Sequence, residues 1–278
     1  MVKAYVVSGL GIGCQKEAAH AYELAGADVE IIHFNRLLSG ASLEDAQILN
    51  LSGGFLHGDR LGSAMCAVSA MDRSGLKDRI LEFADKGNVV YGQCNGYQML
   101  VKSGLLPGID GNSQVATLTD NDCGSYRVAP VWHEVDKQHF AFEGLEKMLL
   151  WCRHGEGKLV FGGEYGSVDQ SKSGTVHEQV NDDHVLLRYV DALGFVADTF
   201  PENPNGSVDG IAGMRNEVGT IFGHMAHTEV GVYGSRHPDW FMEKDFARRL
   251  SMMAADFKPE GMEGNELKVF ENIVGRFK

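Results

Sequence analysis

Val89-Val90-Tyr91-Gly92-Gln93-Cys94-Asn95-Gly96-Tyr97-Gln98 is the stretch whose reading decides the fold. An apolar run, Val89 to Tyr91, stops at Gly92, and helical sequence starts at Asn95 and runs to Lys102. Between them stands Gly-x-Cys-x-Gly, a nucleophile elbow with cysteine as its central residue. A turn this sharp strains the backbone of the central residue. The flanking glycines remove side chains that would collide across it. The Cys94 thiol then projects from the end of a sheet, close to a helix N-terminus whose positive dipole end favours thiolate. The competing reading is a buried cysteine at an ordinary turn; the complete strand–elbow–helix context favours the nucleophile.

Strand and helix alternate on the N-terminal side of this elbow. Residues 2–8 are a β-branched run, and the helical stretch 15–25 ends at Gly26. Residues 29–34 read as a second buried strand, 46–51 as a third and 88–92 as a fourth; 74–86 reads as an amphipathic helix with Leu76, Ile80, Leu81 and Phe83 on one side. Such alternation predicts an α/β fold with an open, mostly parallel sheet covered by helices on both faces. From about 115 to 189 the runs are short and punctuated by Gly, Asn and Asp, which predicts additional antiparallel strands. Residues 221–225 read as one more core strand, 240–257 as a long helix. Leu267, Phe270, Ile273, Val274 and Phe277 recur at helical spacing in the tail. No linker or repeat interrupts the chain, so 1–278 reads as a single domain with a C-terminal helical extension from about 240.

Composition narrows the function classes. The 278 residues carry 25 Lys and Arg against 38 Asp and Glu, a formal charge of −13. That balance repels nucleic-acid phosphates and anionic lipid. No stretch approaches the ~18 apolar residues of a spanning helix, so neither nucleic acid nor membrane is an expected partner. Five cysteines (14, 66, 94, 123 and 152) include no C-x-x-C pair, which argues against a disulfide framework or a zinc site and for a reducing, cytoplasmic setting.

A thiolate nucleophile needs a base and a group that orients the base. Among eleven histidines, His227 follows the 221–225 strand and has Glu229 two positions on. On an extended segment the two side chains share a face; His224 lacks such a carboxylate and is the rival. Acyl transfer also needs oxyanion donors. Gly53-Gly54, at the end of an earlier strand, and the N–H of Asn95, just after the nucleophile, are the candidates. Gly9-x-Gly11-x-Gly13 superficially suggests a dinucleotide fingerprint, but Cys14 stands where the last glycine is required. It reads better as a strand-to-helix turn.

Gly92-Gln93-Cys94-Asn95-Gly96-Tyr97-Gln98 with His227-x-Glu229 resembles the class I glutamine amidotransferases. Within them, five segments resemble the glutaminase subunits of phosphoribosylformylglycinamidine synthases: Ser52-Gly53-Gly54-Phe55-x-x-Gly58-Asp59, Cys94-Asn95-Gly96-x-Gln98, His154-Gly155-Glu156-Gly157, Leu187-Arg188-Tyr189-Val190-Asp191 and Pro204-Asn205-Gly206-Ser207-x-x-Gly210-Ile211-Ala212-Gly213. The resemblance implies a flavodoxin-like amidotransferase domain. It implies a Cys94-His227-Glu229 triad hydrolysing L-glutamine, with Gly53, Gly54 and Asn95 at the oxyanion and Gln98 contacting the substrate. It implies ammonia transfer to a separate ATP-dependent synthase subunit that aminates formylglycinamide ribonucleotide. ATP and magnesium belong to that partner, and no cofactor or metal is expected here. A small adaptor subunit is left open. The sequence departs from the family pattern at Ala226 and Thr228, where prolines usually flank the histidine, and at Arg153, where a small residue is usual. His154 and Glu156 read as loop residues rather than as a metal pair, because two ligands are too few. The rival functions are another Cys-elbow hydrolase of related fold and a catalytically silent interaction subunit.

Overall fold

Side-chain alternation along the first strands sets up two cores, and helices from the intervening sequence close over each. The computed structural model describes residues 1–58, 62–162, 180–236 and 265–278. β1 (Lys3–Ser8) sends Tyr5 and Val7 to one face and Ala4 and Val6 to the other. β3 (Ile48–Leu51) and β4 (Val89–Gln93) split in the same way, Leu49 and Val90 against Ile48 and Tyr91. Period-two alternation with both faces buried is the pattern of a strand inside a parallel sheet.

Among the described residues, those strands lie in one ten-stranded sheet, ordered β12-β7-β6-β9-β10-β11-β4-β3-β1-β2. β2 (Asp28–His33), β1, β3, β4 and β11 (Ile221–His224) are parallel. β6 (Arg127–Val135), β7 (Lys147–His154), β9 (Val185–Val190), β10 (Ile211–Arg215) and the two-residue β12 (Ala226–His227) continue the same sheet with antiparallel pairings. β5 (Ala116–Thr119) and β8 (Lys158–Phe161) form a separate antiparallel pair. The expected class is therefore present: β6, β7, β9, β10 and β12 extend the parallel half, while the β5–β8 pair stands apart from it.

α2 (Phe34–Leu38), α3 (Met65–Ser74), α4 (Leu76–Asp85) and α5 (Asn95–Lys102) cover one face; α1 (Gln15–Leu24) and α6 (Leu267–Gly275) cover the other. α6 has a clear structural role. Val269, Phe270, Ile273 and Val274 are fully buried, and the Phe270 ring meets Tyr22 of α1 edge-on at 5.0 Å. Asn272 Nδ2 donates to the carbonyls of Ala141 and Glu143. At about 1.5–3 kcal/mol for each fully buried apolar side chain, this short helix contributes substantially to the second core.

Two expectations need correction. β2 is not a buried strand: it ends the sheet, Ile31 is 45% exposed, and Ile32 is its one buried residue. The segment carrying His227 and Glu229 is not extended throughout; β12 stops at His227 and residues Thr228–Val230 form a 3-10 turn. Strand bounds elsewhere move by one or two residues. The helix expected over 240–257 and Asp59 lie outside the described residues.

Candidate active site

The elbow forms as the glycines require. Cys94 sits at φ 50°, ψ −107°, a conformation a non-glycine residue adopts only when its surroundings enforce it. Its N–H is fixed to the carbonyl of His224, so β4 and β11 grip it together. A Cβ on Gly92 would lie 2.8 Å from the Gly96 carbonyl across the turn, and one on Gly96 would lie 2.0 Å from the Leu51 carbonyl of β3. Bare backbone at both positions is what lets α5 leave the sheet at this angle.

Three distant segments converge on the thiol. A Cβ placed on Gly53 would stand 2.9 Å from His227 Cε1, 3.3 Å from Cys94 Cβ and 3.4 Å from Cys14 Sγ. Gly53 is thus the bare floor between nucleophile and imidazole. Cys94, His227 and Glu229 are all buried. His227 Nδ1 lies 2.5 Å from Glu229 Oε1, while Nε2 is buried without a hydrogen-bond partner. The imidazole is thus held at one nitrogen and available at the other. Burial pushes the His227 pKa down, but the Glu229 carboxylate, and after it Cys94 and Cys14, raise it well above the ordinary value. The His227 cation is therefore favoured over that of a free imidazole. His224, the rival, is fully buried with Nε2 2.6 Å from the Tyr91 hydroxyl. Burial, with the charges of His133 and His227, pushes it down to about 3, and it does not serve the thiol.

Cys94, His227, Gly54, Cys14, Phe55 and Tyr126 line a cavity of about 290 Å³, enough for an amino-acid side chain. A larger cavity of about 510 Å³ lies near α4, lined by Ala41, Leu43, Arg79 and Phe83. It holds none of these groups, so chemistry rather than volume identifies the site. The two candidate oxyanion donors are backbone N–H groups. The bridge between Ile12 and Gly54 is closed by Gly13 N–H on the Gly53 carbonyl and Phe55 N–H on the Gly11 carbonyl, which leaves the Gly54 N–H outside it. Asn95 opens α5, so its N–H has no intrahelical acceptor.

Not every expected residue faces this cavity. Gln98 is buried beneath it: Asn95 Nδ2 donates to Gln98 Oε1 at 2.9 Å, and Gln98 Nε2 donates to the Glu156 carbonyl at 2.6 Å. Asn95 Oδ1 in turn accepts from Leu56 N–H. These two amides tie α5 to the loops on either side. His154 Nδ1 pairs with Asn121 Oδ1, and Glu156 Oε2 accepts from Ser63 N–H. Both join distant segments: His154, the last residue of β7, is tied to Asn121, and Glu156, which also lies 3.6 Å from Lys102 Nζ of α5, is tied to Ser63. Cys14, which interrupts the dinucleotide fingerprint, carries no signal of its own in the sequence, yet its Sγ lies 3.7 Å from His227 Nδ1. Among the described residues, Cys14, His227 and Glu229 are the group whose donor atoms lie close enough, within 4.8 Å, to hold a metal ion. Since His227 Nδ1 and Glu229 already satisfy one another, the set reads as a catalytic pair with a neighbouring thiol. Arg153, the departure before His154, supplies backbone here: its carbonyl accepts from the Tyr126 hydroxyl at 2.9 Å and lies 3.8 Å from Cys94 Sγ.

Comparison with known proteins identifies the family. The family model described as the CobB/CobQ-like glutamine amidotransferase domain matches residues 1–273. A phosphoribosylformylglycinamidine synthase subunit PurQ from Methanococcus maripaludis is 32% identical over 99% of this chain and 97% of its own. The subunit of the same name from Dehalococcoides mccartyi is 34% identical over 98% and 96%. The solved structure of PurLQS from Thermotoga maritima contains a chain that superposes with a TM-score of 0.67 at 27% identity, covering 100% of this chain and 99% of that one.

Proposed function

The chain belongs to the CobB/CobQ-like glutamine amidotransferase family, and we infer that it is the glutaminase subunit of a phosphoribosylformylglycinamidine synthase. It hydrolyses L-glutamine and delivers the ammonia to an ATP-dependent synthase subunit, which converts formylglycinamide ribonucleotide to formylglycinamidine ribonucleotide in purine biosynthesis. The observation that carries the chemistry is the meeting of Cys94 and His227 over Gly53, with Glu229 behind the imidazole.

The reaction follows from that arrangement. The Cys94 thiol gives its proton to His227 Nε2, its sulfur adds to the side-chain amide carbon of glutamine, and the carbonyl oxygen becomes an oxyanion facing the N–H groups of Gly54 and Asn95. Donors already in place where charge develops cost no reorganisation. His227 Nε2 gives its proton to the departing nitrogen, ammonia leaves, and a thioester remains. Water, deprotonated by the same nitrogen, adds to the thioester, and glutamate departs as the Cys94 sulfur is released. Glu229 holds the imidazole in one orientation and stabilises its cation.

Thiol, imidazole and carboxylate complete this chemistry, so we assign no cofactor or metal to this subunit. ATP and magnesium serve the partner. We read 1–278 as one amidotransferase domain whose C-terminal helix completes the second core. The five thiols are unpaired, which fits a cytoplasmic enzyme, and among the described residues no helix is long and apolar enough to cross a membrane.

Reconstitution tests the assignment. Mixed with the synthase subunit of its own organism, the chain is expected to co-elute with it and to support glutamine-dependent amination of formylglycinamide ribonucleotide. Amination that proceeds with ammonia but never with glutamine, in a complex that does form, favours the silent interaction subunit instead.

A further inference from the structure

Beneath the triad lies a buried polar chain that the mechanism above does not use. Tyr91 and Gln93 alternate on β4, so both side chains leave the same face of the strand. Across that face sits the 3-10 turn Thr228–Val230. Gln93 Nε2 donates to Thr228 Oγ1 at 2.7 Å and to Glu229 Oε2 at 2.8 Å. A primary amide nitrogen carries two protons, and both are committed. Tyr91 Oη lies 2.8 Å from Thr228 Oγ1 and 2.6 Å from His224 Nε2. Gln93, His224 and Thr228 are fully buried, and Glu229 is nearly so. The Glu229 carboxylate is thereby gripped at both oxygens, one on the His227 imidazole and the other on Gln93.

We propose that Gln93 is a positioning residue for the glutaminase reaction: its amide clamps Thr228 and Glu229 so that the strand ending in the nucleophile also sets the aim of the base. The two parts of the site come from segments more than 130 residues apart. Without a link, the strand carrying Cys94 and the turn carrying Glu229 could shift independently. Displacements on the ångström scale cost catalysis heavily. Gln93 is adjacent to Cys94 in the chain and bonded to Glu229 in space, so any shift of one drags the other. Thr228 anchors the same amide, and Tyr91 anchors Thr228. The clamp rests on the triad assigned above, and its test separates the two.

The experiment is a double-mutant cycle on glutamine hydrolysis in the reconstituted complex. Gln93→Met keeps the length and removes both donors. It is expected to lower kcat about tenfold, the loss of a hydrogen bond to a charged acceptor, with KM within about twofold. In a Glu229→Ala background the same substitution is expected to cost less than about twofold, because the group it acts through is gone. Thr228→Val is expected to lower kcat several-fold, and Thr228→Ser, which keeps the hydroxyl, to restore it. Equal losses from Gln93→Met in both backgrounds overturn the clamp, because a merely structural residue behaves in that way. Wild-type kcat in Thr228→Val overturns it as well, and that arm decides should Gln93→Met fail to fold. If glutamine hydrolysis survives Cys94→Ala, the triad itself is wrong; if it does not and the cycle is additive, only the clamp fails.

Discussion

Replacing Cys94 with alanine is expected to abolish glutamine hydrolysis, with a fall of about 10⁴-fold or more, the scale seen when a nucleophile acting as part of a triad is removed. The fold should survive, because the substitution takes one atom from the edge of a cavity and the elbow is held by backbone: the Cys94 N–H on the His224 carbonyl and the Cys94 carbonyl on the Gln98 N–H. Ammonia supplied from solution bypasses the lost step. The variant complex is therefore expected to keep ammonia-dependent amination while losing the glutamine-dependent reaction. Assaying both activities on one preparation checks this, since a misfolded or undocked subunit does not separate them in that way.

The second large effect is expected from Glu229→Gln. The substitution nearly preserves shape and removes the charge beside the His227 imidazole. Loss of an orienting carboxylate typically lowers kcat by about 10⁴-fold in a comparable triad, so a fall of at least about 10²-fold is expected. The pH profile should move in a defined direction. In the parent, burial lowers the His227 pKa while Glu229, then Cys94 and Cys14, raise it to a net value well above the ordinary one. Removing Glu229 deletes the largest raising influence and leaves the burial in place. The His227 cation is then lost at lower pH, and the alkaline limb of kcat/KM shifts downward. Measuring kcat/KM against pH for both proteins checks the sign; an alkaline limb that stays in place assigns it to another group.

Local chemistry was legible in the sequence. The Gly92 to Gln98 segment gave the elbow because its demands are steric and nearby: an apolar strand before, a helix after, and no side chain where α5 passes the Leu51 carbonyl. α5 spans the residues expected of it. α3 escaped notice for the opposite reason. It begins after Ala64 in a left-handed conformation with no side-chain cap, so its start carries no usual signal, and Gly75, the glycine that ends it, also opens α4. β2 looked buried because Val29, Ile31 and Ile32 are apolar, yet position in a sheet is set by topology, which those residues do not encode. His227 and Glu229 were paired correctly although the backbone between them turns, because a short carboxylate arm spans either geometry. Gln98 matched a motif, but its amide is taken by Asn95 and the Glu156 carbonyl, partners that only the folded chain reveals. Gln93 gave no signal at all. A polar residue between a glycine and a nucleophile has no periodicity to betray it, and its role depends on Thr228 and Glu229 at the far end of the chain.

The central claim is that Cys94, rather than its neighbour Cys14, is the sulfur activated by His227. A diazoketone analogue of glutamine, incubated with the complex and followed by peptide mass spectrometry, tests it directly. A single adduct on the peptide containing Cys94, formed in step with loss of glutamine hydrolysis and blocked by excess glutamine, is the predicted result. Loss of hydrolysis with the adduct on Cys14, or full labelling of Cys94 with hydrolysis undiminished, contradicts it.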